Sequence, residues 1–100
     1  MIHVIAVVET VEGARGDFLA EFHKVLPFVR AEEGCIEYGP VIDLETDFAA
    51  PARADVVTIL EKWEDIRHLK EHLKAPHMME YRKRVKDLVK GMKVYVMRNA

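Results

Sequence analysis

A single cysteine, Cys35, is all the sulfhydryl chemistry this chain offers. One thiol cannot form an internal disulfide, and its setting between Gly34 and Ile36 reads as strand interior, not as an activated thiolate; a reducing cytoplasmic location is the default expectation. No apolar run approaches the length of a membrane span. Neither sign of charge prevails: 15 basic residues stand against 17 acidic ones, interspersed throughout. That balance leaves no basic footprint for nucleic acid or an anionic membrane, and both are excluded as partners. Proline and glycine are sparse, at 4 and 5 residues, so each is informative about where elements end. No metal-ligand or phosphate-binding motif is present. The opening run Met1 to Glu9 has no basic leader and carries a glutamate, which reads as a strand and not as a signal peptide.

What remains is enough for a small core. Half of the 100 residues are hydrophobic, and a chain of this size makes one domain that buries about two thirds of its unfolded surface. Ile2 to Val8 is a nearly continuous run of β-favouring residues, as expected of a strand covered on both faces. After a turn at Gly13 to Gly16, Asp17 is the expected N-cap of a helix whose stripe is Phe18, Phe22, Val25, Leu26 and Val29. Pro27 inside that stripe predicts a kink or a split, and Gly34 suits the left-handed residue that closes the helix. A second strand is expected from Cys35 to about Leu44, a loop over 46–54, and a third strand over Val56 to Trp63. Asp65 should cap a short helix with Ile66, Leu69 and Leu73 inward. On that helix His68 projects about 140 degrees from the stripe at ~100 degrees per residue, toward solvent, whereas His72 borders Leu69. Pro76 starts another helix with Met78, Tyr81, Val85, Leu88 and Val89 inward, Gly91 closes it, and Lys93 to Met97 forms the last strand.

This order predicts an α+β ferredoxin-like βαββαβ fold with an antiparallel four-stranded sheet. Helices can cover only one side of such a sheet, yet strands one and three are apolar on both. A second copy packed sheet against sheet would cover the other side, so a homodimer is expected.

The stretch from Glu61 to Tyr81 carries the chemistry. A strand end with Glu61 and Trp63 is followed by two histidines, His72 and His77, which Pro76 prevents from being ligands of one unbroken helix. His72 is the first candidate for a catalytic base and His77 the second, because an imidazole titrates near neutral pH. Trp63 is a candidate flat wall and indole donor, Tyr81 a hydroxyl, and Glu61 a carboxylate that orients an imidazole or accepts from a substrate. Bland readings stand beside these: Trp63 as core, His72 as a helix-end cation, Tyr81 as packing, and Glu61 paired to Arg82 or Arg84.

Three blocks, Val29-Arg-Ala-Glu-Glu-Gly-Cys-Ile-Glu-Tyr38, Leu60-Glu-Lys-Trp-Glu64 and Leu69-Lys-Glu-His-Leu-Lys-Ala-Pro-His77, resemble the antibiotic biosynthesis monooxygenase domains, which include the small quinol monooxygenases. The resemblance implies a dimeric α+β barrel and oxygenation of an electron-rich aromatic quinol or phenol by O2 with no cofactor, metal, haem or flavin. The haem-degrading branch combines an asparagine in the first strand with an iron-binding histidine well into the last helix. This first strand has no asparagine, and Tyr81, Arg82 and Lys83 occupy that stretch of helix, so haem is disfavoured. Two other readings follow from the same fold: an isomerase of a small carbonyl or phosphorylated compound, and a non-enzymatic dimeric small-molecule-binding domain.

Overall fold

The computed structural model describes residues 1–100. Seven elements follow in the order β1 (Ile2–Thr10), α1 (Arg15–Arg30), β2 (Cys35–Val41), β3 (Val56–Trp63), α2 (Ile66–Lys74), α3 (Pro76–Val85) and β4 (Val89–Arg98). The four strands form one antiparallel sheet in the order β2-β3-β1-β4. This is the expected ferredoxin-like arrangement, its second helix broken in two at Ala75 and Pro76.

The pleat sorts the side chains. On β1 the even residues Val4, Ala6 and Val8 are buried, and on β3 the odd residues Val57, Ile59, Glu61 and Trp63 are. These face the helices, where they meet Phe18, Phe22, Val25 and Val29 of α1, Leu69 of α2, and Met78, Tyr81 and Val85 of α3. The alternate residues face away from the helices. There Ile5 pairs with Tyr95 and Leu60, and these, with Met97, remain partly or half exposed. β4 is covered on neither face, since no helix reaches across it.

Several expectations about boundaries are corrected. Helix α1 begins at Arg15 with Ala14 as its cap, so Asp17 lies inside the first turn, where its charge meets the helix dipole. Pro27 does not split α1, which continues to Arg30. Pro27 and His23 are both exposed, so the carbonyl that loses its partner reaches water and the cost is local. Gly34 has φ +80 and closes the α1–β2 turn as expected. Strand β2 ends at Val41 and not at Leu44. Helix α3 stops at Val85, six residues before Gly91, and Leu88 and Val89 belong to the turn and to β4. A register shift at Glu9 and Thr10 places Gly91 opposite Glu9 and Val89 opposite Thr10, so Gly91 sits at a bulge within the strand, not at a helix end.

Candidate functional site

Between the helix-facing side of the sheet and helices α2 and α3 lies a cavity of about 380 Å³. Hydrophobic residues make up 15 of its 19 lining residues, including Val4 and Ala6 of β1, Ile59 of β3, Leu69 of α2 and Met78 of α3. Its floor runs out over Val94 and Val96 of β4, which are half exposed, so the cavity opens on that side. In an apolar hollow of this size a few polar groups set how a ligand lies. They are Tyr38, Glu61, His72 and Tyr81, with Arg82 and Lys86 also lining it.

Each of these is placed by a local rule. Asp65 caps α2 by accepting from the His68 backbone N–H at 2.9 Å, which fixes the register of the helix. Leu69 and His72, three apart, then share the inward face. His72 is only 2% exposed, its ring 4.7 Å from that of Trp63 and 5.3 Å from that of Tyr38. Its Nδ1 lies 2.8 Å from Oε2 of Glu32. Its Nε2 has no partner in the chain and is not sealed off from the cavity. Burial pushes the His72 pKa down, against the pull of Glu32 upward, which favours the neutral imidazole that can accept a proton.

Glu61 is buried, directly opposite Tyr38 across β2 and β3. The Trp63 indole N–H donates to its Oε1 at 2.9 Å. Arg84 pairs instead with Glu21, so neither arginine expected of Glu61 takes that role. Burial pushes the Glu61 carboxyl up to about 7, with the Trp63 hydrogen bond working against that rise and the charge of Glu32 adding to it. A carboxyl in this state divides its time between acid and base at neutral pH, which is the condition for proton transfer. The Tyr38 and Tyr81 hydroxyls have no hydrogen-bond partner in the chain and are not sealed; burial raises both pKa values, so both stay protonated as donors.

The structure brings Glu61, His72 and Tyr81 together around the cavity and leaves Trp63 and His77 off its wall. Trp63 is fully buried one layer behind, against the lining residues Tyr38, Glu61 and His72. His77 lies on the far side of Glu32, its Nε2 2.8 Å from the same Oε2 that meets His72. His68 is not solvent-facing as expected. It is buried over Gly34, with Nδ1 2.7 Å from Asp65, which raises its pKa. The missing Gly34 side chain is what lets the ring fold back. Ile66, expected inward, is half exposed, whereas Leu73, also half exposed, lines the cavity.

Three residues of the site escaped the sequence: Glu32, Tyr38 and Arg82. Glu32 sits in a polar turn, and Tyr38 looks like an ordinary strand aromatic. A signal for Glu32 existed in the acidic pair before Gly34, since a carboxylate next to a helix-closing glycine is held close to whatever packs on that turn. At Cys35, by contrast, burial pushes the thiol up to about 11, which disfavours the thiolate. No group of three or more His, Cys, Asp and Glu side chains is arranged to hold a metal ion, and no helix is long and apolar enough to cross a membrane.

Comparison with known proteins places this geometry. Residues 1–84 match the family model described as antibiotic biosynthesis monooxygenase. The "Probable quinol monooxygenase YgiN" of Escherichia coli K12 is 37% identical over 100 residues, covering 97% of this chain and 96% of that protein. A conserved protein from Methanosarcina mazei superposes with a TM-score of 0.86 at 24% identity, over 99% of this chain and 92% of the other. A crystal structure described as antibiotic biosynthesis monooxygenase has a TM-score of 0.84 at 19% identity, over 100% and 99% of the two chains. The last two establish the fold alone.

Proposed function

Because this chain belongs to the antibiotic biosynthesis monooxygenase family, we propose that it oxidises a small aromatic quinol or phenol with O2, using no bound cofactor, in the cavity between its sheet and helices α2 and α3. The observation that carries this reading is the composition of the cavity wall. It is mostly apolar, and its polar groups are a neutral imidazole at His72, the Glu61 carboxyl, the Tyr38 and Tyr81 phenols, and the cations of Arg82 and Lys86.

That set matches the demands of the reaction. Dioxygen reacts slowly with a neutral closed-shell quinol and much faster with its anion, so the enzyme's task is to remove a proton and hold the charge. The O–H bond breaks, the proton goes to His72 Nε2, and the electron pair stays on the substrate oxygen. Tyr38 and Tyr81 hydroxyls are placed to donate to that oxygen or its para partner, and the Arg82 guanidinium, which pairs with no carboxylate in the chain, adds positive charge at the wall. The anion supplies electrons to O2. The O–O bond breaks, one oxygen atom replaces a hydrogen on a ring carbon to give a hydroxyquinone, and the other leaves as water with the two hydrogens the quinol loses; O2 takes four electrons from the quinol, and no external reductant is required. Glu61 takes or returns the second proton. Water exclusion by the apolar wall strengthens each of these interactions.

The reading includes a homodimer joined through the sheet face that carries Ile5, Leu60, Tyr95 and Met97. Its support is the half exposure of Tyr95, at 52%, in one apolar row with Ile5 and Leu60 across the sheet.

The test is oxygen uptake with a panel of para-quinols in chelator-treated buffer. Wild-type protein is expected to consume one O2 per quinol, and His72→Ala to lose about 10² to 10⁴ of kcat/KM while keeping its circular dichroism and melting profile. Turnover of a carbonyl substrate without oxygen consumption would instead establish the isomerase reading. Tight binding of aromatics with no turnover would establish the binding-domain reading.

A further inference from the structure

We propose that Glu32 is the positioning residue of this site: its Oε2 holds His72 protonated on Nδ1 with Nε2 bare toward the cavity, and His77 braces Glu32 from the outer side. The proposal rests on His72 acting as the base, as argued above.

The geometry is that of one oxygen between two rings. Oε2 of Glu32 lies 2.8 Å from His72 Nδ1 and 2.8 Å from His77 Nε2. A carboxylate has only acceptor sites, so each nitrogen facing it must carry a hydrogen. A neutral imidazole has one N–H. Once His72 places its hydrogen on Nδ1, Nε2 is an acceptor, and Nε2 is the atom left open to the cavity. The same argument turned on His77 removes it as the base, because its Nε2 hydrogen is committed to Glu32 and its ring is off the cavity wall. His77 instead stacks on Phe28, with ring centroids 6.1 Å apart.

Glu32 is itself fixed. Its backbone N–H donates to the Val29 carbonyl at 2.9 Å and its carbonyl accepts from Cys35 N–H at 3.2 Å, so the turn between α1 and β2 holds it at both ends. Exposure falls inward along the chain of contacts: 26% for the His77 side chain, 13% for Glu32, and 2% for His72. When His72 accepts the substrate proton on Nε2, the imidazolium forms beside a partly buried carboxylate already in hydrogen-bond contact, which stabilises it in place. The arrangement follows the logic of nucleophile, base and orienting acid found wherever an imidazole must face one way, here with the base working directly on the substrate.

The test separates this role from simple support of the fold. Nitrogen NMR of protein labelled at histidine reports the tautomer without any turnover. Wild-type His72 is expected as the Nδ1–H form with unprotonated Nε2. In Glu32→Gln, whose amide can present its NH2 to Nδ1, that preference is expected to be lost or inverted, and kcat to fall on the order of 10²-fold or more with KM changed by less than about threefold. Glu32→Asp should restore the tautomer and part of kcat, and His77→Gln should keep kcat within about tenfold. An unchanged His72 tautomer in Glu32→Gln would overturn the proposal, as would unchanged kcat accompanied only by a lower melting temperature, or loss of turnover in His77→Gln equal to that in His72→Ala. If wild type oxidises no quinol, the functional reading fails, and the tautomer spectra still decide the role of Glu32. Should Glu32→Gln not fold, the wild-type spectrum decides it, since an Nε2–H tautomer of His72 there excludes the arrangement outright.

Discussion

Glu61 ties the stability of the protein to pH. Its folded pKa of about 7 lies above the ordinary carboxylate value of 4.5 because burial penalises the charged form. A raised pKa means that the folded state binds the proton more tightly than the unfolded chain, so stability is full below about pH 4.5 and falls as pH rises through 7. A displacement of this size corresponds to about 3 kcal/mol. Glu61→Gln retains an acceptor for the Trp63 indole and cannot ionise. Urea unfolding of the two proteins should give similar stability at pH 4, with the variant gaining about 2 to 3 kcal/mol at pH 8; a constant difference across that range would refute the assignment. A stability gained by removing a carboxylate is what is expected where a group is kept for its chemistry. At this scale the sequence was half readable. Glu61 stood out because it interrupts an apolar strand face, and His72 because it borders Leu69. Nothing local marked Tyr38, and only the acidic pair before Gly34 pointed to Glu32; their roles depend on contacts across 23 and 40 residues of chain, and His68 misled because its burial depends on the absence of a side chain at Gly34.

That glycine governs how two elements meet. Gly34 has φ +80, in the region that side chains avoid, and a Cβ there would collide with the His68 ring and lie 2.6 Å from its Cβ. The α1–β2 turn therefore packs directly against the first turns of α2, and the Gly34 carbonyl accepts from the Glu64 N–H at 2.9 Å. Gly34→Ala combines backbone strain with a steric clash and is expected to cost at least about 2 kcal/mol. It should also displace Glu32, two residues away, so a loss of quinol turnover larger than the loss of folded protein is expected when both are measured at a temperature well below the melting point. The elements themselves were legible from hydrophobic period and capping, as Asp65 and Pro76 illustrate. Their ends were not. Leu88 and Val89 continue the helical stripe of α3 in sequence, but Leu88 falls in the turn after the helix, and pairing with β1 at the Glu9–Thr10 bulge draws Val89 into β4. Long-range pairing overrides local period in this way wherever a helix runs into an edge strand.

For the molecule as a whole, the sheet has one face covered and one face bare. The helices bury Val4, Ala6, Val8, Val57 and Ile59, while Ile5, Leu60, Tyr95 and Met97 line the opposite side with no helix above them. Charged residues are present on that side too, among them Lys62 and Lys93, but they flank the apolar centre formed where Leu60, Ile5 and Tyr95 stand in one row across β3, β1 and β4. A row of this kind, repeated by a two-fold axis, meets itself, whereas the covered face cannot. The expected species in solution is therefore a dimer, and sedimentation equilibrium should return twice the 11.5 kDa chain mass. Leu60→Asp places a charge at the centre of the row and is expected to shift the mass toward that of the single chain, raising the dissociation constant at least about 100-fold, because an unpaired charge buried in an interface costs several kcal/mol. Lys93→Asp, at the flank, should change it by less than about tenfold. The link to chemistry is the open side of the cavity. Val94 and Val96 lie on the same strand as Tyr95 and point to the other face, so holding β4 against a partner through Tyr95 steadies the cavity floor through Val94 and Val96. Quinol turnover per chain in Leu60→Asp should accordingly rise with protein concentration as dimer reforms, and turnover per chain that is equal in dimer and isolated chain would show that the sheet face serves assembly alone.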